Sequence, residues 1–289
     1  MSSPSGFIMI SPGTLYVVAT PIGNLDDITA RALKVLRDVA LIAAEDTRHS
    51  ARLLRHFGIE TPLAACHDHN ERDAGGRFIT RLLAGDDVAL ISDAGTPLIS
   101  DPGFHLVRAA RAQGLKVSPI PGACALIAAL SAAGLPSDRF SFEGFLPAKA
   151  VGRQGRLAAL REDPRTLIFY EAPHRLDDCV ADMVSTFGPE RHIVLGRELT
   201  KTFETLRGLP AGELLAWIRA DLDQQRGECV LLVAGWAATE DAEVDAETLR
   251  ILDLLLAELP IKRAAALAAQ ITGARKNLLY QLALERKGE

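Results

Sequence analysis

The chain has 289 residues, 48% hydrophobic and 24% charged, enough to bury a substantial core and to divide into two domains of ordinary size plus an appendage. No window approaches the roughly 18 uninterrupted apolar residues of a membrane span, and Met1 to Gly13 lacks a basic stretch followed by an apolar core, so neither a membrane association nor a secretory signal is expected. A formal net charge of −5 argues against polyanion binding by the whole surface and leaves room for a local basic patch. Cys66, Cys124, Cys179 and Cys229 are widely separated and lack CxxC spacing. They read as reduced core residues of a cytoplasmic protein, with neither a disulfide framework nor a metal site expected.

From Thr14 to Gly235 short apolar runs alternate with amphipathic segments. Strands are predicted at Leu15–Ala19, Val39–Ala44, Val88–Ile91 and Val117–Ile120, with helices at Thr29–Arg37, Arg48–His56, Arg77–Leu83 and Phe104–Gln113. The second half repeats the pattern, with strands at Thr166–Tyr170, Ile193–Gly196 and Val230–Ala234 and helices at Arg175–Thr186 and Glu213–Leu222. Such alternation predicts an α/β class with a largely parallel or mixed sheet in each half. The crossing between halves falls at Pro119-Ile120-Pro121-Gly122, ahead of a small-residue helix over Ala123–Ala133 that Gly134 and Pro136 stop. The expected domains are therefore 13–121 and 122–236. An acidic, Ala-rich linker over 237–246 and a helical, partly basic module over 247–289 follow.

The first strand runs into Thr20-Pro21-Ile22-Gly23-Asn24-Leu25, where a nucleotide-binding turn would lie, but GxGxxG is absent and a Pro stands where a pyrophosphate needs Gly. A ligand without a phosphate, gripped by carbonyls and shape, fits better. The most informative stretch is Leu90 to Gly103, where a buried-strand run breaks into two Pro turns and then enters a helix. Asp101 is expected as that helix's N-cap and Pro102 as its first residue. Such a connection brings backbone N–H and carbonyl groups to the carboxyl edge of a parallel sheet, where small ligands are held.

Charged clusters follow three strands: Glu45-Asp46-Thr47-Arg48-His49-Ser50, Tyr170-Glu171-Ala172-Pro173-His174-Arg175, and Arg197-Glu198-Leu199-Thr200-Lys201. Each taken singly reads as a surface salt-bridge cluster; three at equivalent strand ends read as a site. The loop Cys66-His67-Asp68-His69-Asn70-Glu71 has no matching ligand partners and suits hydrogen bonding to a polar substrate or a neighbouring subunit better than a metal. No Ser–His–Asp order, P-loop Lys or HExxH is present, which disfavours proteases, kinases and metallopeptidases. From Pro260 onward six basic residues face two acidic ones, a local charge of +4. That module reads equally as a solvated helical cap or as a basic surface touching RNA phosphates.

Taken together, the motifs at Thr20–Leu25, Ser92–Pro97, Pro121–Ala125, Phe142–Pro147, Phe169–Arg175 and Arg197–Lys201 resemble the bacterial 16S ribosomal RNA cytidine 2′-O-methyltransferases, a branch of the tetrapyrrole methylase superfamily. The resemblance implies two α/β domains with S-adenosylmethionine in the cleft between them. It implies methyl transfer to the ribose of a 16S rRNA cytidine (position 1402 in the family) in the small ribosomal subunit, and a homodimer. Superfamily donor positions fall on Pro21, Ala94, Gly95, Thr96, Ile99, Cys124, Ala125, Glu171 and Gly208; Thr96 stands where many members carry Asp, as in the ribosomal RNA branch. A ribose hydroxyl is a weak acid, so a base or a stabilising cation helps. Asp46 and Glu171 are the candidate bases, with Arg48 and Lys201 orienting or stabilising. The alternatives are a precorrin-type tetrapyrrole methyltransferase, which needs a broad cleft without a basic rim, and a non-catalytic RNA-binding scaffold.

Overall fold

The computed structural model describes residues 11–67, 71–237, 246–274 and 276–287. Residues up to Trp236 form one compact unit and those from Ala237 a second. The first unit contains two sheets.

In chain order the first half comprises β1 (Thr14–Val18), α1 (Ala30–Asp38), β2 (Leu41–Ala44), α2 (Thr47–His56), β3 (Leu63–Ala65), α3 (Glu71–Leu83), β4 (Val88–Ile91), α4 (Phe104–Ala112) and β5 (Lys116–Ile120). Its sheet has the order β3-β2-β4-β1-β5, and every pairing is parallel. A parallel sheet carries helices on both faces, so its strands are apolar at every position. Leu15, Ala43, Val88 and Leu90 face one core, while Ile42, Ala44, Ala89 and Ile91 face another. This explains why the continuous apolar runs marked these strands so clearly.

The second half comprises α5 (Ala125–Ala132), β6 (Phe140–Phe145), α6 (Ala150–Ala159), β7 (Thr166–Glu171), α7 (Leu176–Phe187), β8 (His192–Arg197), β9 (Thr205–Pro210), α8 (Ala211–Ala220) and β10 (Cys229–Val233). Its order is β6-β7-β10-β8-β9, with β6–β7 parallel and the other pairings antiparallel. Phe169, Leu195 and Leu231 pack beneath α6, α7 and α8; Ile168, Val194 and Val230 pack on the other face against α5.

Several expectations need correction. The helix after the Pro turns starts at Phe104, capped by Gly103 at φ 126 with no side-chain cap, so Asp101 and Pro102 lie in the preceding loop. Gly103 would be the second residue of a helix capped at Asp101, and its φ of 126 lies outside the helical region and so delays the start. α3 begins at Glu71, six residues before the expected Arg77. β3, β6, α6 and β9 carried no recognisable pattern. β3 has three residues, α6 contains Gly152 and Gly155, and β9 reads Thr-Leu-Arg-Gly-Leu-Pro on a sheet edge.

The second unit holds α9 (Ala246–Glu258), α10 (Ile261–Thr272) and α11 (Lys276–Lys287). Leu252, Leu256, Ala264, Ala265, Ala268, Leu279 and Ala283 form its core. Gly273, left-handed at φ 76, ends α10, as expected of a C-terminal glycine. Most of the expected linker, 238–245, lies outside the described residues, as does Arg275.

Candidate active site

A cleft of about 350 Å³ opens where the carboxyl end of the first sheet meets the second half, within the range of about 300–1,000 Å³ usual for small-ligand sites. One wall is the loop after β4, with Ala94, Gly95, Thr96 and Ile99; another is the start of α5, with Cys124 and Ala125. Glu171, Leu199, Cys229 and Val230 close it from the second sheet. The loop after β4 is fixed on both sides. Thr20 and Gly95 exchange backbone hydrogen bonds at 2.9 and 3.1 Å, and the Thr96 hydroxyl donates to the Ala123 carbonyl at 3.0 Å. Gly95 sits at φ 81, and a Cβ there would press Ile22 at 3.2 Å, so only glycine suits this close crossing.

Of the expected donor residues, Ala94, Gly95, Thr96, Ile99, Cys124, Ala125 and Glu171 line this one cleft. Pro21 precedes the lining residue Ile22. Gly208 is not brought there: it lies on the edge strand β9, paired with Val194 of β8, and a Cβ on it would meet His192 Nε2 at 2.9 Å. Most of the wall is small or apolar, with Ser100, Asp101, Tyr170 and Glu228 among its polar side chains. That donor set fits a nucleoside carrying a thioether-like chain, held by shape and main-chain contacts.

The four expected catalytic residues separate. Glu171 borders the cleft, but its side chain is 0% exposed and turned against α7. Its Oε1 accepts from the Ala172 N–H at 2.8 Å and lies 3.2 Å from Arg175 Nε, an ion pair without hydrogen-bond alignment, while Oε2 has no hydrogen-bond partner. Arg175 in turn donates to the carbonyls of Leu146 (2.7 Å) and Pro147 (3.2 Å). Glu171 thus holds the wall from behind, and a hydroxyl arriving in the cleft does not meet its carboxylate.

Asp46 and Arg48 are also not brought into the cleft lining. Asp46 is the N-cap of α2: its carboxylate accepts from the Arg48 N–H at 2.8 Å and pairs with the Arg48 guanidinium at 3.3 Å. Those two interactions hold its carboxyl below the usual carboxylate range, which makes it a weak base. Its own N–H donates to Asp93 Oδ1 at 3.1 Å, so it shares the sheet edge with the cleft loop.

Lys201 is not in the cleft lining either, but it bonds a residue that is. Its Nζ bonds Glu198 Oε1 at 2.8 Å and Glu228 Oε2 at 2.9 Å, and Glu228 lines the cleft. Burial works against its charge, but the hydrogen bonds it donates to the two carboxylates outweigh that and raise its pKa, so it stays cationic. The preceding Thr200 hydroxyl accepts the Asn24 N–H at 3.1 Å, tying this loop to the one after β1.

Glu228, Cys229, Val230 and Phe145 were not foreseen as site residues, whereas Tyr170 belonged to one of the three strand-end clusters. β10 lies between β7 and β8 in space although it comes last in sequence, and nothing local signals that order. His67 is described, whereas Asp68, His69 and Asn70 lie outside the described residues. Among the described residues no cluster of His, Cys, Asp and Glu is placed to hold a metal ion.

Comparison with known proteins adds to this geometry. Residues 14–215 match the family model of Tetrapyrrole (Corrin/Porphyrin) Methylases, and residues 242–287 match that of the RsmI C-terminal HTH domain. The chain is 73% identical over 281 residues to Ribosomal RNA small subunit methyltransferase I of Pseudomonas aeruginosa, covering 97% of this chain and 100% of the relative. The chain belongs to the ribosomal RNA small subunit methyltransferase I family. The protein of that name from Escherichia coli O157:H7 is 59% identical, with 96% of this chain and 97% of the relative covered. In fold, this methyltransferase I family member is similar to uroporphyrin-III C-methyltransferase of Thermus thermophilus, solved in complex with S-adenyl homocysteine. The TM-score there is 0.54 at 16% identity, over 77% of this chain and 97% of the other. Both the α/β class and the tetrapyrrole methylase fold expected from the motifs are thus established.

Proposed function

We propose that this chain transfers a methyl group from S-adenosylmethionine to the ribose 2′-hydroxyl of a cytidine in small-subunit ribosomal RNA, the family's cytidine 1402. The observation that carries this reading is full-length kinship. Relatives named for ribosomal RNA match 96–97% of the chain, and 242–287 match the RsmI C-terminal HTH domain, whereas the solved tetrapyrrole enzyme covers 77% of the chain.

Ala94, Gly95, Thr96, Ile99, Cys124 and Ala125 are the residues that would hold the donor, with Glu171 keeping the wall behind it in place. When bound, S-adenosylmethionine supplies a methyl group already activated on a sulfonium. The chain's own work is therefore alignment: the fixed loop after β4 and the start of α5 shape the pocket. Lys201, which reaches the cleft through its bond to Glu228, is read as the cation that stabilises charge developing on an attacking oxygen. Arg48, with its side chain 91% exposed on the same sheet edge, suits a phosphate of the incoming RNA better than a step in the chemistry. The reading includes a homodimer acting in the cytoplasm, with the basic helical module contacting rRNA.

The test offers labelled S-adenosylmethionine to small ribosomal subunits from cells lacking this protein, and in parallel to precorrin mixtures. Label in a ribose of 16S rRNA supports the proposal; label in a macrocycle, or in a base, overturns it.

A further inference from the structure

Phe145 is an exposed aromatic ring on the wall of the cleft, 55% accessible to solvent where a phenylalanine would ordinarily be buried. Its position is not an accident of the strand end. In an unbroken strand, residues three apart point to opposite faces of the sheet. Yet Phe142 and Phe145 both lie edge-on against one ring, Tyr170, at centroid distances of 4.9 and 5.8 Å. The pairing of β6 with β7 shifts register between Phe142 and Gly144, so one extra residue is inserted and Phe145 comes round to the face of Phe142. Gly144 takes φ 67 to make that bulge, and a Cβ on it would stand 3.6 Å from Ser100 Oγ, another cleft residue. Bulges next to active sites re-aim side chains in this way. Tyr170 is itself fixed, since its hydroxyl oxygen accepts the Leu126 N–H at 3.1 Å. The result is a rigid ring, supported at its edge, with an open surface beside the proposed donor site.

We infer that Phe145 is the platform on which the base of the acceptor nucleotide stacks, holding its ribose toward the cleft. This rests on the proposal of an RNA acceptor and adds the residue that positions it. Stacking on an aromatic face is how proteins hold an unstacked base, and a flat π surface next to a reaction cleft is what such a base requires. Phe145 contacts acceptor and not donor, so it is a positioning residue for the second substrate.

The experiment measures methyl transfer to undermethylated small subunits by the full-length protein and its variants, with donor affinity measured separately by calorimetry. F145A is expected to lower kcat/KM for the subunit by about 5- to 150-fold, the range of base–aromatic stacking. Its affinity for S-adenosylmethionine and its melting temperature stay as in the unaltered protein. F145W restores transfer, because it keeps the π face; F145L, which keeps only apolar bulk, does not. The inference is overturned if F145A transfers normally, if F145L rescues as well as F145W, if donor affinity falls in parallel, or if F145A changes the sedimentation of the free protein, which would mean that a second copy covers the ring. Absence of transfer by the unaltered protein would instead strike down the proposed function, and this inference with it.

Discussion

Gly23 lies so close to Lys201 that a Cβ on the glycine would come within 2.4 Å of the lysine Cγ and 3.0 Å of its Cε. The lysine cannot swing away cheaply, because its Nζ is held by Glu198 and Glu228. This contact seats the loop after β8 on the loop after β1 across the cleft mouth.

The glycine is therefore expected to be intolerant of even a methyl group. G23A should destabilise the protein by about 1–3 kcal/mol, the usual cost of overpacking, with a matching fall in donor affinity. In a double-mutant cycle G23A and K201A should be strongly non-additive, the second change relieving much of the first. Additive melting temperatures would show that the contact is slack.

Replacing Lys201 by methionine tests its charge as distinct from its bulk. Turnover should fall far more than donor affinity if the cation acts on the attacking oxygen. The same variant carries a pH signature. Burial tends to raise the Glu198 carboxyl, but hydrogen bonds from Lys201 and the Glu228 N–H leave it lowered, so its contribution to stability is full above the ordinary Glu value of about 4.5 and fades as pH falls from there through the lowered folded value. Lys201 is raised, so its contribution holds below the ordinary Lys value and fades above about 10.5. Melting curves should therefore show a difference between the unaltered protein and K201M that is constant from pH 6 to 9 and shrinks towards acid.

Asp46 is predicted to act on α2 and not on the reaction. D46A should cost about 1 kcal/mol through loss of the N-cap, and D46N, which still accepts the Arg48 N–H, should recover most of it. Methyl transfer by D46N at the level of the unaltered protein is the expected outcome. A collapse of turnover in D46N with normal melting would return Asp46 to the chemistry.

Beneath the second sheet Arg153 and Asp182 form an ion pair at 2.6 Å with side chains only 6% and 13% exposed. R153M leaves a buried carboxylate without its cation and should lose about 3–5 kcal/mol in chemical denaturation. A loss below 1 kcal/mol would mean that water reaches the pair.

The four cysteines should react unequally with a thiol reagent in the folded protein. Cys124 is partly exposed on the cleft wall, whereas Cys66, Cys179 and Cys229 are buried. Burial also pushes the Cys229 thiol up to about 12, and Cys179 higher still, removing the reactive thiolate at neutral pH. Peptide mapping should find label on Cys124 alone, and S-adenosylhomocysteine should protect it. Labelling that the ligand leaves unchanged would place the donor elsewhere.

What could be read from the sequence follows from how each element is stabilised. The β1, β2 and β4 strands are buried on both faces and announce themselves as unbroken apolar runs such as Val88–Ile91. Helices with one apolar stripe, such as α2 and α7, were equally plain. β9 and β6 are edge strands, and their pattern depends on neighbours that arrive from far along the chain. The same limit applies to the site. Ala94, Gly95 and Thr96 stood out because turn chemistry is local, but Glu228 and Phe145 reach the cleft only through the antiparallel insertion of β10 and the bulge in β6. Glu171 and Asp46 were visible as charges at strand ends. Where their carboxylates point, into a cap or behind a wall, is decided by α2 and α7 packing in three dimensions.

Leu98, Ser100, Glu198 and Thr200 are the non-glycine residues with positive φ among those described, and all four lie in the two loops that border the cleft. Conformational strain of this kind costs of order 1–3 kcal/mol at each residue. Glycine at these positions would relax the backbone, but it would also remove the Glu198 carboxylate that holds Lys201 and the Thr200 hydroxyl that accepts the Asn24 N–H. Relief of strain there would loosen the frame that lines up two substrates, so heat tolerance and catalytic competence are set against each other in these two loops.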